Sequence, residues 1–487
     1  MTSELARAGG PLACVGLGLL LVAPRRDLRL AGLALWAIGG AALILYLAPS
    51  GHHAVLGAGA VVILLFAVAL AVVFWRWPWL LPAATLACVP ARVLVKVGST
   101  KASLLIPLYV VVLGAALAFA FQLVRGDTRT RELGPLSWPL AAFAAWSGLT
   151  LAWTGDLHQG SVTLLFFFLP FGLLAVLLAR LEWSRKWIVW LFAELMAMAV
   201  AFALIGIYQW SNRTVFWNPK VIVANAYAPS EFFYRVNSVF YDPSIYGRFL
   251  AIAILAGLVV VLHTRRTRLA LAFAAAIVAI WVGLFFSFSQ SSFVALGVGV
   301  LAVAALSWRW RAAAAVGLAG AVLFMGGFGP APHTWLAASS NLNRVTRSRF
   351  DLVKNGLKLW EDKPIQGWGI GDFKHAYGHK FKLHGGKEPK KAASHTTPVT
   401  VLAEEGLPGL LLLGWVFVAA VLAAWRRVPD SFEGRVALFA GVGFAAIGVS
   451  SLFYAAFFED PMMWGLMAFI VLASSAATRP PPVEART

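Results

Sequence analysis

The chain has 487 residues, of which 60% are hydrophobic and only 13% are charged, and its formal net charge is +19. Its mean hydropathy is +0.79. Because soluble domains contain about 25% charged residues, this composition excludes a soluble globular protein. Apolar runs of about 20 residues recur along the sequence, and in lipid such runs must be helices that satisfy their own backbone hydrogen bonds. No period-two alternation of polar and apolar residues indicates a membrane β-barrel.

The predicted fold class is all-α, a polytopic transmembrane helical bundle of about 12–15 spans with two large extracytoplasmic loops. The first apolar run, about Pro11 to Pro24, is as short as a signal-peptide core. Arg25 follows it in place of a small-residue cleavage site, so we interpret it as a first helix. Candidate spans begin near residues 11, 28, 54, 79, 103, 135, 161, 187, 244, 268, 290, 312, 399, 434 and 459.

Short connections rich in Lys and Arg recur at every second loop. The short loops between them, such as Ser50–His53 and Thr154–Gly160, are poor in basic residues. The positive-inside rule places the basic set in the cytoplasm, so both long loops lie outside. We therefore predict a multi-pass protein of the inner (cytoplasmic) membrane with its active site on the extracytoplasmic side. The basic connections are Arg25–Arg26, Arg125–Arg131, Arg180–Lys186, Arg265–Arg268, Arg309–Arg311 and Arg426–Arg427.

This alternation divides the chain into six regions. They are N-terminal transmembrane helices (1–209), an extracytoplasmic loop (210–243), central transmembrane helices (244–329), a large extracytoplasmic loop with amphipathic helices (330–398), C-terminal transmembrane helices (399–478) and a tail (479–487). In the large loop, apolar residues at helical spacing from about Thr346 to Trp360 predict an amphipathic helix at the membrane surface. The basic residues of this loop could attract anionic lipid headgroups or a polyanionic substrate, and charge alone favours neither.

The first group of candidate site residues precedes the span near residue 244. Asp242 followed by Pro243 is a good helix start, with Asp242 as the N-cap. Arg235 either anchors the chain at the headgroups or binds an anion near this helix N-terminus, where the helix dipole favours negative charge. Arg248 places a further charge near the start of the same helix.

The second group runs from Arg349 to Phe373 and ends in the glycine-rich stretch Pro364–Phe373. These glycines do not indicate a nucleotide-binding loop, because no strand precedes them and their spacing differs from a dinucleotide fingerprint. We predict a tight turn that faces a substrate. Arg349 lies on the amphipathic helix before the turn, either as one more solvated charge or as a ligand for an anion.

The third group begins at His395, where the large loop re-enters the membrane. A histidine at this position is either an interfacial structural residue or a proton acceptor, since its ordinary pKa lies near neutrality. Glu404 lies within the following apolar helix, where ionisable residues are usually functional or paired. Its partner could be a loop arginine or a backbone amide.

In this order, the three groups resemble the O-antigen ligase and O-antigen polymerase superfamily, polytopic membrane glycosyltransferases that use polyprenyl-diphosphate-linked glycans. Arg235 with the turn Phe240–Gly247 resembles the family's arginine followed by Phe-x-(Asn/Asp)-Pro-x-x-x-Gly. Arg349 with Pro364–Phe373 resembles its Ser-Gly-Arg…Pro-Leu-x-Gly-x-Gly-x-x-x-Phe stretch. His395–Gly409 resembles its His-Asn…Glu-x-Gly-x-x-Gly segment. Thr396 replaces the usual Asn after the histidine, and no glycine stands between Ser348 and Arg349.

The resemblance implies a metal-independent, inverting transfer of a glycan from undecaprenyl diphosphate to an acceptor hydroxyl. It implies His395 as general base and Arg235 and Arg349 as ligands of the diphosphate, and we predict Asp242, Glu404 and Arg248 as further substrate-binding residues. No cofactor or metal is predicted. The expected partners are the lipid-linked glycan donor, a glycan or lipid-linked acceptor and membrane lipids, without nucleic acid, and we expect a monomer.

Other functions stay open at this point. A lipid A core acceptor would make the protein a ligase, a second lipid-linked repeat unit would make it a polymerase, and a protein hydroxyl is a third acceptor. A lipid-linked glycan transporter or flippase would also be basic and polytopic, but internal repeats and mid-membrane polar residues are expected of it. A non-catalytic assembly protein is the remaining class. Cys14 and Cys88 both lie in apolar runs and indicate neither a disulfide framework nor a metal site.

Overall fold

The computed structural model describes residues 2–48, 53–97, 100–216, 218–226, 234–308, 349–381, 394–425 and 431–477. Within these ranges, 11 helices are long and apolar enough to cross a membrane, and Pro461–Ala477 is a shorter apolar helix. The predicted polytopic helical bundle is thereby confirmed. The predicted span near residue 312, the connections Arg309–Arg311 and Arg426–Arg427, and the tail lie outside the described residues.

The first half of the chain forms nine α-helices within the described ranges. A π-helical turn (Leu164–Phe168) joins the seventh and the eighth of them into one 23-residue span, Leu157–Ala179. The helices are α1 (Thr2–Val22), α2 (Arg26–Leu47), α3 (His53–Arg76), α4 (Leu80–Cys88), α5 (Ile106–Val124), α6 (Ser137–Thr150), α7 (Leu157–Thr163), α8 (Leu169–Ala179) and α9 (Arg185–Ser211).

The second half supplies the elements around the candidate site. They are α10 (Pro219–Ala226), α11 (Pro243–His263), α12 (Thr267–Ser287), α13 (Gln290–Trp308), α14 (Arg349–Asp362), α15 (Phe373–Lys380), α16 (Thr397–Trp425), α17 (Phe432–Ser451) and α18 (Pro461–Ala477). Asp242 caps α11 as predicted, because its side chain accepts a hydrogen bond from the Ser244 amide at 2.7 Å.

The predicted span near residue 79 is wrong as a full-length helix. α4 has nine residues, which rise about 14 Å, about half the thickness of a bilayer's hydrocarbon core. Pro90 follows two residues after α4 and cannot donate the hydrogen bond that would extend it. The strands β1 (Val93–Val97) and β2 (Thr100–Leu104) come next and pair antiparallel, with Val93 opposite Leu104.

Basic connections meet at one end of the bundle through ion pairs. Arg29 of α2 lies 2.7 Å from Glu132 in the α5–α6 connection, and Arg180 after α8 lies 2.6 Å from Asp127 in the same connection. Arg26 donates to the carbonyl of Val124 at 2.6 Å. Three of the predicted cytoplasmic connections therefore share one end.

The described part of the helix predicted in the large loop is α14, and the predicted start near Thr346 lies outside the described residues. Part of its apolar side packs on the protein. Leu352 and Leu359 are buried, and a Cβ at Gly356 would lie 2.6 Å from Val399 of α16. α14 thus packs part of its apolar face on the protein where α16 begins, while Leu357 of the same helix is 40% exposed.

Candidate functional site

The glycine-rich turn docks against a break in α16. The amide of Trp368 donates to the carbonyl of Ala403 at 3.0 Å, and the amide of Gly369 donates to the carbonyl of Glu404 at 2.7 Å. On the other side, the amide of Leu407 donates to the carbonyl of Pro364 at 2.9 Å. The turn therefore takes backbone partners from the helix.

Two glycines make this close approach possible. Gly406 has φ +68° and ψ −170° inside α16, a conformation that is nearly exclusive to glycine and that opens the helix. Gly367 has φ +67°, and a Cβ there would lie 2.2 Å from the carbonyl oxygen of Glu404. A side chain at either position would separate the turn from α16.

Glu404 joins the same two elements through its side chain. Its carboxylate is buried and accepts hydrogen bonds from the amides of Gly371 at 2.9 Å and Phe373 at 3.0 Å, one on each oxygen. Of the two partners that the sequence left open, the backbone amide is the observed one. Glu404 therefore holds the turn, and a direct contact between Glu404 and a substrate stays a prediction.

The connection between α6 and α7 completes the support of the turn. Thr154 donates to the carbonyl of Ile370 at 3.0 Å, and the amide of Ile370 donates to Thr150 at 3.2 Å. Trp153 donates its indole N–H to the carbonyl of Gln366 at 3.2 Å. These contacts join segments more than 200 positions apart, and the sequence reasoning did not identify them.

A histidine–aspartate pair on the turn was also missed. Asp372 is buried and lies 3.0 Å from Nδ1 of the half-exposed His375. Burial raises the pKa of Asp372, and the charge of His375 and the amides of Gly155 and Asp156 oppose this rise. The spacing of three residues in the sequence was the available signal, since such residues are neighbours on a helix surface.

His395 stands two residues before the start of α16 and has φ +58°, an uncommon backbone conformation for a residue with a side chain. Hydrogen bonds fix the residues on either side of it, Ser394 and Thr396. Ser394 donates to the carbonyl of Thr396 at 2.7 Å and lies 2.7 Å from the hydroxyl of Thr400. Such strain costs about 1–3 kcal/mol and persists where the surroundings fix it, which is typical of functional positions.

Arg235 is held between α10 and the end of α12. The side-chain amide of Asn225 in α10 donates to the carbonyl of Arg235 at 2.9 Å and accepts from the backbone amide of Arg235 at 3.0 Å. The Nε atom of Arg235 donates to the carbonyl of Ser287 at 3.1 Å. The sequence placed this guanidinium near the N-terminus of α11, but the observed contact is with the C-terminal end of α12, where carbonyl groups stabilise a cation.

Arg248 lies buried inside the bundle. Its Nη1 atom donates to Asp460 at 2.9 Å and to the carbonyl of Ala456 at 3.1 Å. Asp460 also accepts from the amide of Met462 at the start of α18. Arg248 thus fastens the α17–α18 connection to α11, and its contact with a substrate stays a prediction.

Glu459 connects the Glu404 group and the Arg248 group electrostatically. Glu459, beside Asp460, interacts electrostatically with Glu404 and also with Arg92 and Arg248. Burial raises the pKa of Glu459, while the two arginines lower it. The Glu404 and Arg248 groups therefore lie at the same end of the bundle.

The convergence of Arg235, Arg349 and His395 stays a prediction. Arg349 is the first residue of α14, and its side chain lies outside the described residues. Among the residues that the structure describes, no group of three His, Cys, Asp or Glu side chains could hold a metal ion.

Comparison with known proteins identifies a family. Residues 275–414 match the family described as O-antigen ligase. The match includes Ser287, which bonds Arg235, and it includes α14, the glycine-rich turn, His395 and the break in α16. A comparison with curated proteins gave no match. Residues 275–414, which are 140 of the 487 residues, are thus similar to the O-antigen ligase family.

Proposed function

We propose that this protein is an O-antigen ligase-type glycosyltransferase, which moves a glycan from undecaprenyl diphosphate to an acceptor hydroxyl at the outer face of the cytoplasmic membrane. The carrying observation is that the O-antigen ligase match includes both the turn locked by Glu404 and the strained His395. A rigid turn and a fixed histidine are what a transferase needs to hold two substrates in register.

His395 acts as general base in this proposal. It takes the proton of the acceptor hydroxyl as that oxygen attacks the anomeric carbon from the face opposite the diphosphate. The new C–O bond forms while the bond from the anomeric carbon to the diphosphate oxygen breaks, so the configuration inverts. The bonding electrons leave with undecaprenyl diphosphate, and His395 later releases its proton to water.

Arg235 and Arg349 bind the diphosphate and stabilise the charge that develops on it. The guanidinium fork matches phosphate oxygens, and such a charge-assisted contact is stronger than one between neutral groups. The hydrogen bond from Arg235 Nε to the carbonyl of Ser287 orients the guanidinium. The two arginines replace a metal ion in this scheme, in agreement with the lack of an Asp-x-Asp pair in the two long loops.

Asp242, Glu404 and Arg248 position this machinery. Asp242 fixes the start of α11, Glu404 fixes the turn and Arg248 fixes the connection before α18. In this proposal they shape the walls of the substrate cavity, and their substitution alters the binding of both substrates.

The experiment is a transfer assay with purified full-length protein, a glycan on undecaprenyl diphosphate and glycolipids extracted from a strain that lacks the protein. Such an extract contains the natural acceptor, whichever glycolipid that is. We expect Arg235→Ala and Arg349→Ala to abolish most transfer. Arg235→Lys and Arg349→Lys should rescue it only partly, because lysine retains the charge and loses the fork.

Arg265→Ala is the matched control, since Arg265 is an exposed arginine on the predicted cytoplasmic side. Activity should persist in excess EDTA. Loss of transfer in EDTA that Mg²⁺ reverses, or full transfer by both alanine variants, contradicts the proposal. Glycolipids of the deletion strain identify the acceptor: capped but short glycans indicate a polymerase, and an uncapped acceptor with accumulated full-length donor indicates a ligase.

A further inference from the structure

A cavity of about 680 Å³ lies at the end of the bundle opposite the candidate site. It lies among the end of α3, α5 and the turn from α8 into α9. Ala115, Ala118 and Gln122 of α5 line it, and Gln122 is the nearest of them to the C-terminal end of α5. Ala115 and Gln122 are seven residues apart, so the cavity extends about 10 Å along the helix.

The walls of this cavity are aromatic and partly open to the surroundings. Phe74 and Trp187 are buried, whereas Trp79 and Trp190 are 46% and 65% exposed. Tryptophan is enriched at the level of lipid headgroups, where one edge of the ring is wet and the rest apolar. The exposed rings therefore place the mouth of the cavity at the membrane interface.

The outer end of the cavity is cationic. Arg129, Arg180 and Lys186 line it, together with Glu182. Asp127 and Glu132 engage Arg180, and Asp127 also lies 2.7 Å from Arg129, whose side chain is 51% exposed. Lys186 is exposed.

The cavity is lined by more positive than negative side chains. Three of its charged lining residues are cations (Arg129, Arg180 and Lys186) and one is a carboxylate (Glu182). An anionic ligand therefore suits this lining.

We propose that this cavity binds one anionic phospholipid of the cytoplasmic leaflet, with its phosphate at Lys186 and Arg129 and an acyl chain along Ala115 and Ala118. The volume lies within the roughly 300–1,000 Å³ of ligand pockets. An anionic headgroup suits the cationic rim, and basic pockets between transmembrane helices on the cytoplasmic side bind such headgroups. The inference does not depend on the proposed transferase activity, because the two sites lie at opposite ends.

The test is native mass spectrometry of the purified full-length protein with phosphatidylglycerol or with phosphatidylcholine of the same acyl chains. We expect the bound fraction to be higher for phosphatidylglycerol. Lys186→Ala should weaken phosphatidylglycerol binding about fivefold and Lys186→Glu about 25-fold, the effect of one and two charges at an anionic lipid surface. Glycerol 3-phosphate should not displace the lipid, because it lacks the chains that fill the cavity.

Ala118→Trp would fill the inner part of the cavity and should abolish retention of the lipid. Arg265→Ala is the control and should bind phosphatidylglycerol as the parent protein does. Equal retention of the two lipids, or phosphatidylglycerol binding unaffected by Lys186→Glu, overturns the proposal. Displacement by glycerol 3-phosphate would also overturn it, because the site would then recognise a soluble anion. Lys186 is exposed, so its variants decide the question even if Ala118→Trp fails to fold.

Discussion

Gly367→Ala should release the glycine-rich turn from α16. Gly367 has φ +67°, which costs an alanine about 1–2 kcal/mol. Its Cβ would lie 2.2 Å from the carbonyl oxygen of Glu404, the same oxygen that accepts from the Gly369 amide. Relief of such an overlap costs about 1–3 kcal/mol more. The docked state should therefore lose about 2–5 kcal/mol, a shift of about 30- to 5,000-fold in its equilibrium constant.

Hydrogen–deuterium exchange of the purified full-length protein measures this loss at the amides of residues 366–373. Gly378→Ala is the matched control, since Gly378 lies in α15 with no atom near its would-be Cβ, and alanine there should stabilise the helix slightly. Unchanged exchange in Gly367→Ala, or an equal increase in Gly378→Ala, would refute the docking of the turn on α16.

Three further predictions concern the carboxylates and the topology. Glu404→Gln should accelerate exchange at residues 371–373, because the new NH₂ group would face one of the two amide donors at a cost of about 1–3 kcal/mol. Glu405→Gln is the control and should leave this exchange unchanged. Its partner Ser147 has a hydroxyl that can turn to donate or accept. Burial raises the pKa of Asp127, but Arg129 and Arg180 outweigh it and hold this pKa at about 2. A depressed pKa contributes stability above the ordinary value of 3.8 that is lost as the pH falls toward about 2, so the unfolding temperature should fall less over this range in Asp127→Asn. The topology is tested on intact spheroplasts with an impermeant maleimide, in a background that carries Cys14→Ser and Cys88→Ser. The reagent should label Arg213→Cys and Lys374→Cys and leave Arg265→Cys unlabelled. The reverse pattern would invert the topology.

The sequence predicted the spans well where one physical rule determines them. Apolar runs become helices because lipid offers no partner to a backbone amide, and α11 begins at Pro243 because Asp242 caps it. The rule failed near residue 79, where the apolar sequence continues but the helix ends at Cys88 before Pro90 and a hairpin follows. Hydropathy alone does not account for the backbone hydrogen bonds that proline removes.

The glycine-rich turn was predictable from the sequence, but its contacts were not. The glycine-rich turn was expected, but its docking on Glu404 and on Thr154 depends on segments far apart in the chain. Arg248 likewise meets Asp460, 212 positions away. Contacts between residues this far apart in the sequence depend on how the helices pack, and residue spacing in a single sequence does not reveal that packing.

Single-turnover transfer by His395→Ala tests the central claim most directly. The variant should retain the lipid-linked donor and lower the rate of transfer by about 10²–10⁴-fold, the usual contribution of a general base. His379→Ala removes an exposed histidine of α15 and should transfer at the parent rate. Full activity in His395→Ala, with the donor bound as in the parent protein, would contradict the assignment of proton transfer to His395.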